Sequence, residues 1–300
     1  MSDTLRGAAL MVAAMLAFSI EDALIKGTAT LIPAGQVMMT LGLFGTIGFA
    51  LLLRRRGQSL FTRALLSRAV LFRSACELLG TAGFVAALTL GNLSTATAIL
   101  QAVPLAVVSG AALFLGEKVG WRRWTAVGLG LVGVMMVIRP GAADFDPNSL
   151  FALVAVVCLS ARDLATRRIP AGVPSNQLSG AAFATTILSG VLLLGLTGES
   201  LVVPSSLALL GLVATIAVGM LAYSTIVAAT RIGEMSVIAP FRYTRILFAL
   251  IVATLVFGER PDAWTYAGAA LIVGSGLYAF WREAQANARA RASLPPQPTV

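Results

Sequence analysis

An all-α membrane protein is the fold class this sequence predicts: ten transmembrane helices arranged as two inverted five-helix repeats around a central cavity. Three observations predict it. Hydrophobic residues make up 58% of the 300 and charged residues 12%, with a mean hydropathy of +0.88, whereas soluble domains sit near half apolar and a quarter charged. Apolar runs follow one another with little chain between them; a span takes about 20 residues, so ten consume roughly two thirds of the sequence. Polar residues also recur at half the chain length. The 29 glycines and 12 prolines are compatible with membrane helices, where neighbouring groups satisfy the backbone they free.

The spans are taken in order. The first, about 7–26, follows Arg6; it has the look of a secretory leader, but Glu21-Asp22 closing it and its counterpart in mid-chain make it a span. The second, about 34–53, runs from Pro33 to Arg54-Arg55-Arg56, and the third, about 70–90, from Arg68 to Gly91. The fourth, about 93–115, contains Pro104 and stops at Gly116-Glu117; the fifth, about 121–139, stops at Arg139-Pro140-Gly141. The sixth, about 149–166, follows the Asp144-Phe145-Asp146-Pro147 linker and ends at Arg167-Arg168. The seventh and eighth, about 177–196 and 206–230, end before Gly198 and Arg231. The ninth, about 235–257, contains Pro240, and the tenth, about 263–281, ends at Arg282. Charge and turn residues at each boundary are the stop signals.

With an amino terminus in the cytoplasm, one side holds Arg6, Arg54, Arg55, Arg56, Arg63, Arg68, Lys118, Arg122, Arg123, Arg167, Arg168, Arg231, Arg282, Arg289 and Arg291; the other holds Lys26, Arg139 and Arg260. Fifteen cations against three place both termini in the cytoplasm of a bacterial-type inner membrane. The net charge of +9 therefore reflects topology and not a nucleic-acid partner, which would require a basic face on a soluble fold. The stretch 285–300, ending in the proline-rich Ser293–Val300, is expected to be a disordered cytoplasmic tail.

The chain has no histidine, which excludes Ser-His-Asp catalysis and the usual zinc hydrolases. Cys76 and Cys158 both lie in apolar runs and read as small hydrophobes. No P-loop, EF-hand or dinucleotide fingerprint is present, so no cofactor or metal is expected, and an ion or substrate gradient is the energy source, with protons a candidate ion.

Ser19, Asp22, Pro33 and Gln36 recur at one constant offset as Ser160, Asp163, Pro174 and Gln177, and Leu51-Leu52-Leu53 recurs at the same offset as Leu192-Leu193-Leu194. Gly91, Ser94, Gly116 and Glu117 recur as Gly233, Ser236, Gly258 and Glu259, at an offset longer by a single position. The repeats fall at 1–145 and 146–284. Five spans per copy is an odd number, so the second copy enters the bilayer inverted, the arrangement of many secondary transporters.

Eight charges fall within spans: Arg73, Arg162, Arg242 and Arg245, with Glu21, Asp22, Glu77 and Asp163. Each costs about 2.5–3.5 kcal/mol at the bilayer centre, so the bundle needs a polar interior. Arg73 and Glu77 are four apart on one helical face, as a salt bridge or a binding pair. Arg242 and Arg245, flanking Tyr243, need more than one acidic partner or an anionic ligand group. Arg242, Tyr243, Arg245, Gln101, Arg73 and Glu77 are thus the candidate substrate-binding residues, and Asp22, Asp163, Glu21 and Arg162 the candidates for coupling or gating. Equal numbers of each sign favour a zwitterionic or net-neutral solute. Glu117 and Glu259, each after a glycine at a span end, read as structural, capping or bracing the turn that follows; Pro104 and Pro240 read as hinges or packing kinks. Glycines at 128, 130 and 133 and at 268, 274 and 276 allow close helix packing, within a monomer more than in a dimer.

Two stretches carry a family resemblance. Ala98-Ile99-Leu100-Gln101-Ala102-Val103-Pro104 with Phe114-Leu115-Gly116-Glu117-Lys118-Val119-Gly120-Trp121-Arg122-Arg123-Trp124 and Arg139-Pro140-Gly141, and then Ala239-Pro240-Phe241-Arg242-Tyr243 with Phe257-Gly258-Glu259-Arg260-Pro261-Asp262-Ala263-Trp264, resemble the ten-helix EamA-type members of the drug/metabolite transporter superfamily. The resemblance implies a basket of helices opened alternately to each side, with members that export amino acids and related metabolites. Its nearer branch also includes proteins similar to uptake carriers for S-adenosylmethionine or riboflavin; Asp144-Phe145-Asp146-Pro147 and Phe241-Arg242-Tyr243 are similar to the former. The sequence departs from many relatives at Met38-Met39-Thr40-Leu41, where they carry an arginine, so no binding role passes to span two. The expectation is a monomeric or weakly dimeric carrier, not an enzyme, exporting an amino-acid-like solute. Uptake of S-adenosylmethionine or riboflavin is the alternative; an intramembrane enzyme or a scaffold is the rival from another class.

Overall fold

The computed structural model describes residues 3–60, 62–117, 119–142, 145–166, 168–169, 173–232 and 238–292. Among them every regular element is helical: α1 (Asp3–Thr28), α2 (Ala34–Arg54), a short 3-10 turn (Arg63–Leu66), α3 (Arg68–Leu90), α4 (Leu93–Leu100), α5 (Val103–Phe114), α6 (Trp121–Ile138), α7 (Ser149–Thr166), α8 (Ser175–Thr197), α9 (Ser206–Ile232), a 3-10 turn (Ala239–Tyr243), α10 (Thr244–Phe257) and α11 (Ala263–Ala292). With α4 and α5 taken together, ten helical segments are long and apolar enough to cross a membrane. Their outward faces carry Leu113, Phe114, Leu196 and Leu255 at 67–79% exposure. So large an apolar exterior suits lipid and would aggregate in water.

Repeat-related prolines open two of the spans. Pro33 and Pro174 precede α2 and α8 with φ/ψ of −52°/135° and −62°/140°, the extended conformation of a residue leading into a helix. The other conspicuous prolines break spans. Span four bends at Gln101-Ala102, with Pro104 in the first turn of α5, where its missing N–H costs no hydrogen bond. Span nine begins with the 3-10 turn that holds Pro240. Residues 233–237, at the expected start of span nine, lie outside the described residues. Helix α11 continues to Ala292, well into the stretch expected as a tail; residues 293–300 lie outside the described residues.

The four most extensive helix contacts are α1 with α9, α2 with α8, α3 with α7 and α6 with α11, and among the lesser ones α4 touches α10. In spans these pairs are one with eight, two with seven, three with six, five with ten and four with nine. Exchanging each span for the one five places away returns the same set. Small residues make the close crossings. A Cβ on Gly35 would meet the Gly190 carbonyl and lie 3.0 Å from Leu194 N, and one on Gly133 would lie 2.8 Å from the Gly268 carbonyl. Gly130 and Gly276 are likewise packed inside, whereas Gly128 and Gly274 face open space. Gly190→Val should therefore force α2 and α8 apart and cost about 1–3 kcal/mol. A thermal melt in detergent reads this, and an unchanged midpoint would contradict the close crossing.

Candidate functional site

A cavity of about 820 Å³ occupies the middle of the bundle. It is lined by Glu21, Asp22, Glu77, Gln101, Arg162, Asp163, Arg242, Tyr243 and Arg245, so nine of the ten sequence candidates meet at one place. The elements that deliver them are α1, α3, the α4–α5 break, α7, the second 3-10 turn and the first turn of α10. Arg73 is the exception. It lies on α3 behind Glu77, with Nε donating to Thr166 Oγ1 at 3.1 Å, and is not part of the cavity wall.

Most of the charges are already matched. Arg245 Nη2 donates to both Asp22 carboxylate oxygens at 2.9 and 2.7 Å, its Nε approaches Oδ2 at 3.3 Å, and its guanidinium lies 5.3 and 5.4 Å from the Phe18 and Phe84 ring centres. Ser19 Oγ, one turn from Asp22, donates to the Arg245 carbonyl at 3.1 Å. Arg162 donates through Nη1 to Glu77 Oε1 at 2.9 Å and through Nε to Asp163 Oδ1 at 2.9 Å. Arg73 Nη2 stands 3.3 Å from Glu77 Oε2, but neither Glu77 Oε2 nor Arg73 Nη1 makes a hydrogen bond. The i,i+4 pair legible in the sequence is thus a loose contact. Glu77 is held by an arginine from another helix.

Arg242 is different. Its carbonyl accepts a 3.4 Å hydrogen bond from Gln101 Nε2, but its guanidinium makes no ion pair or hydrogen bond among the described residues and is exposed to the cavity. Tyr243 is buried at 4% exposure with its hydroxyl unbonded; the ring lies edge-on to Phe280 at 6.2 Å, and its hydroxyl occupies the space a Cβ on Gly276 would need. Phe18, Phe84, Phe183, Tyr223 and Phe280 also line the cavity. Sequence reasoning missed them, because five aromatics scattered over five spans carry no local signal.

One end of the bundle is tied shut. Glu259, just past α10, accepts Lys26 Nζ at 3.1 Å and the Leu93 N–H at 2.8 Å through Oε1, and the Ser94 N–H at 3.0 Å and Oγ at 2.6 Å through Oε2. Lys26 Nζ also donates to the Gly91 carbonyl at 2.6 Å. A carboxylate on the first N–H groups of α4 satisfies unpaired donors and favours the helix dipole; Glu259 is structural, as expected, but it caps a helix from the other half of the chain and not the turn that follows it. Arg139 and Asp262 add an ion pair at 2.6 Å between the ends of spans five and ten. The cavity lining stops at Ile25, one residue short of Lys26, and in the other direction reaches Ala284.

Burial alone would raise the Glu259 carboxyl, but the Ser94 and Leu93 hydrogen bonds and Lys26 outweigh it and hold the group below its ordinary value of 4.5. A carboxyl lowered in the folded state adds stability above its unfolded value and loses it as pH falls through the folded one. Melting from about pH 7 down to about pH 3 should destabilise wild type more steeply than Glu259→Gln on the acid limb. Parallel curves would remove Glu259 from the seal.

No group of three or more metal-ligating side chains occurs among the described residues. Ten spans around a central cavity lined by charged residues, with one end tied, define a multi-pass membrane protein of carrier type. The profile of the EamA-like transporter family matches residues 5–139 and 147–281, and the chain belongs to that family, within the drug/metabolite transporters. The chain is 26% identical to an S-adenosylmethionine uptake transporter of Rickettsia conorii, over 70% of each chain. It is 25% identical to a pseudopaline exporter of Pseudomonas aeruginosa, over 89% of this chain and 93% of that one, and 29% identical to a riboflavin transporter of Vibrio cholerae, over 65% and 64%. A crystal structure of another protein superposes with a TM-score of 0.63 at 21% identity, covering 93% of this chain and 99% of that one, and shows the same fold.

Proposed function

We propose that this protein is a secondary transporter that exports a small, amino-acid-like solute with charges of both signs across the inner membrane by alternating access. The observation that carries this reading is Arg242, a guanidinium on the cavity wall with no partner among the described residues. Such a group supplies forked donors for a carboxylate. The exchange symmetry of the helix pairs supports two inverted repeats that trade places during the cycle. With both termini cytoplasmic, the cavity loads from the cytoplasm, and the Lys26–Glu259 knot is the outer seal that must open for release.

Uptake is the second reading. The S-adenosylmethionine carriers among the relatives and the five aromatic rings of the cavity wall favour a solute that joins a zwitterion to a flat base. The test is counterflow in proteoliposomes with neutral amino acids, S-adenosylmethionine and riboflavin. Exchange of an amino acid or of S-adenosylmethionine that Arg242→Ala abolishes is the expected result. Riboflavin exchange alone, or chemical conversion of a solute without movement, would overturn the reading.

A further inference from the structure

Two repeat-related helix pairs carry the same site in unequal form. Helix pair α3–α7 corresponds to α9–α1 under the five-span exchange, each pair taking one helix from either half of the chain. In α3–α7, Arg73, Glu77 and Arg162 form a charged cluster, with Arg162 and Glu77 2.9 Å apart. The offset that relates Ser160 to Ser19 relates Arg162 to Glu21, and the offset that relates Ser94 to Ser236 relates Arg73 to Thr215 and Glu77 to Gly219. The counterpart of the cluster is therefore Thr215, Gly219 and Glu21. Both arginines are gone, the partner carboxylate is reduced to a hydrogen, and a carboxylate stands where an arginine stood.

The structure brings these counterparts together. A Cβ on Gly219 would lie 2.9 Å from Glu21 Cδ and would collide with Oε1, so the carboxyl rests directly on that glycine. Glu21 is buried at 8% exposure, lines the cavity, and makes no hydrogen bond or ion pair among the described residues. Its neighbour Asp22 is neutralised by Arg245. The other charged or titratable groups around the cavity are Glu77 from α3, Arg162 and Asp163 from α7, Tyr223 from α9, and Arg242 and Tyr243 from the 3-10 turn. Arg162 is bound to Glu77 and Asp163, and the Tyr223 hydroxyl to Ser179. Among the described residues, helices α2, α4, α5 and α11 bring no charged side chain to this wall.

A carboxylate without a partner in a low-dielectric interior is costly, and taking a proton removes the charge. We propose that Glu21 is the exchangeable proton site of the transport cycle, protonated and released through the cavity, while its counterpart in the other half is locked into a permanent ion cluster. Asp22 and Asp163, the other carboxylates of α1 and α7 at the cavity, serve as partners of Arg245 and Arg162. This rests on the carrier reading above and assigns its coupling group.

The experiment uses the full chain in bilayers, with two readouts. Infrared difference spectra across a pH step need no solute: wild type should show a carboxyl C=O band on acidification that Glu21→Gln lacks, and an unchanged band in the variant overturns the proposal. With S-adenosylmethionine as the probe solute, Glu21→Gln should lose accumulation driven by a pH gradient while keeping counterflow. Gradient-driven accumulation that survives the substitution, or loss of counterflow along with it, overturns the coupling role. If wild type does not move S-adenosylmethionine, that solute fails as substrate, and the infrared result still decides Glu21.

Discussion

Arg242→Ala should weaken solute binding about 10–100-fold while leaving the ligand-free protein as stable as wild type. The guanidinium makes no ion pair or hydrogen bond among the described residues, so folding draws nothing from its charge, whereas a bound anion would. Hydrogen bonds to charged groups contribute about 1.5–3 kcal/mol each, and each 1.4 kcal/mol is about tenfold in affinity. Ligand-induced thermal stabilisation separates the two effects, because only a solute that binds the folded state raises its midpoint. Arg242→Lys should restore part of the binding, since an ammonium keeps the charge but loses the fork. A large fall in the ligand-free midpoint of Arg242→Ala would instead make the residue structural and remove the main support for an anionic group on the solute.

The opposite profile is expected for the neighbouring arginine. Asp22→Asn or Arg245→Ala should each destabilise the protein by about 3–5 kcal/mol, because either change strands the partner in a site where the side chains are 4% and 18% exposed. Replacing both together, Asp22→Leu with Arg245→Met, should recover most of that loss, as a buried ion pair is often no better than well-packed apolar residues. The pair joins α1 to α10, with the Phe18 and Phe84 rings flanking the guanidinium, so a double-mutant cycle followed by thermal unfolding measures their coupling. Strictly additive losses would mean that the two groups do not share one interaction.

Arg242 and Arg245 thus show the limit of reading spacing. Three residues apart, they invite the expectation of one shared role, and the structure divides them. Arg245 finds Asp22 across 223 positions of sequence, while Arg242, in the 3-10 turn ahead of α10, is left facing the cavity. Spacing likewise identifies Arg73 as a companion of Glu77, because i,i+4 neighbours on one helix are fixed by helical geometry alone. It cannot supply Arg162, whose approach depends on how α7 is rotated against α3. The repeat offsets are legible in the sequence, yet the contrast between the Glu77–Arg162 pair and Glu21 over Gly219 acquires meaning only once both are seen at helix contacts.

The sequence by itself determined the solvent, the number of spans, the places where spans four and nine break, and the presence of charges that require a polar interior. These follow from composition and local covalent preference: a bilayer selects long apolar runs, and proline cannot sit in a helix interior without breaking or kinking it, so it marks where a helical segment starts anew. Only the tertiary structure decided which charges cancel, which carboxylate and guanidinium remain unmatched, and which end of the cavity is tied by Lys26, Glu259 and Ser94. Those outcomes depend on the rotation and depth of helices that meet from distant parts of the chain. A shift of one residue turns a side chain by about 100° around its helix, enough to move it from the cavity wall to the lipid.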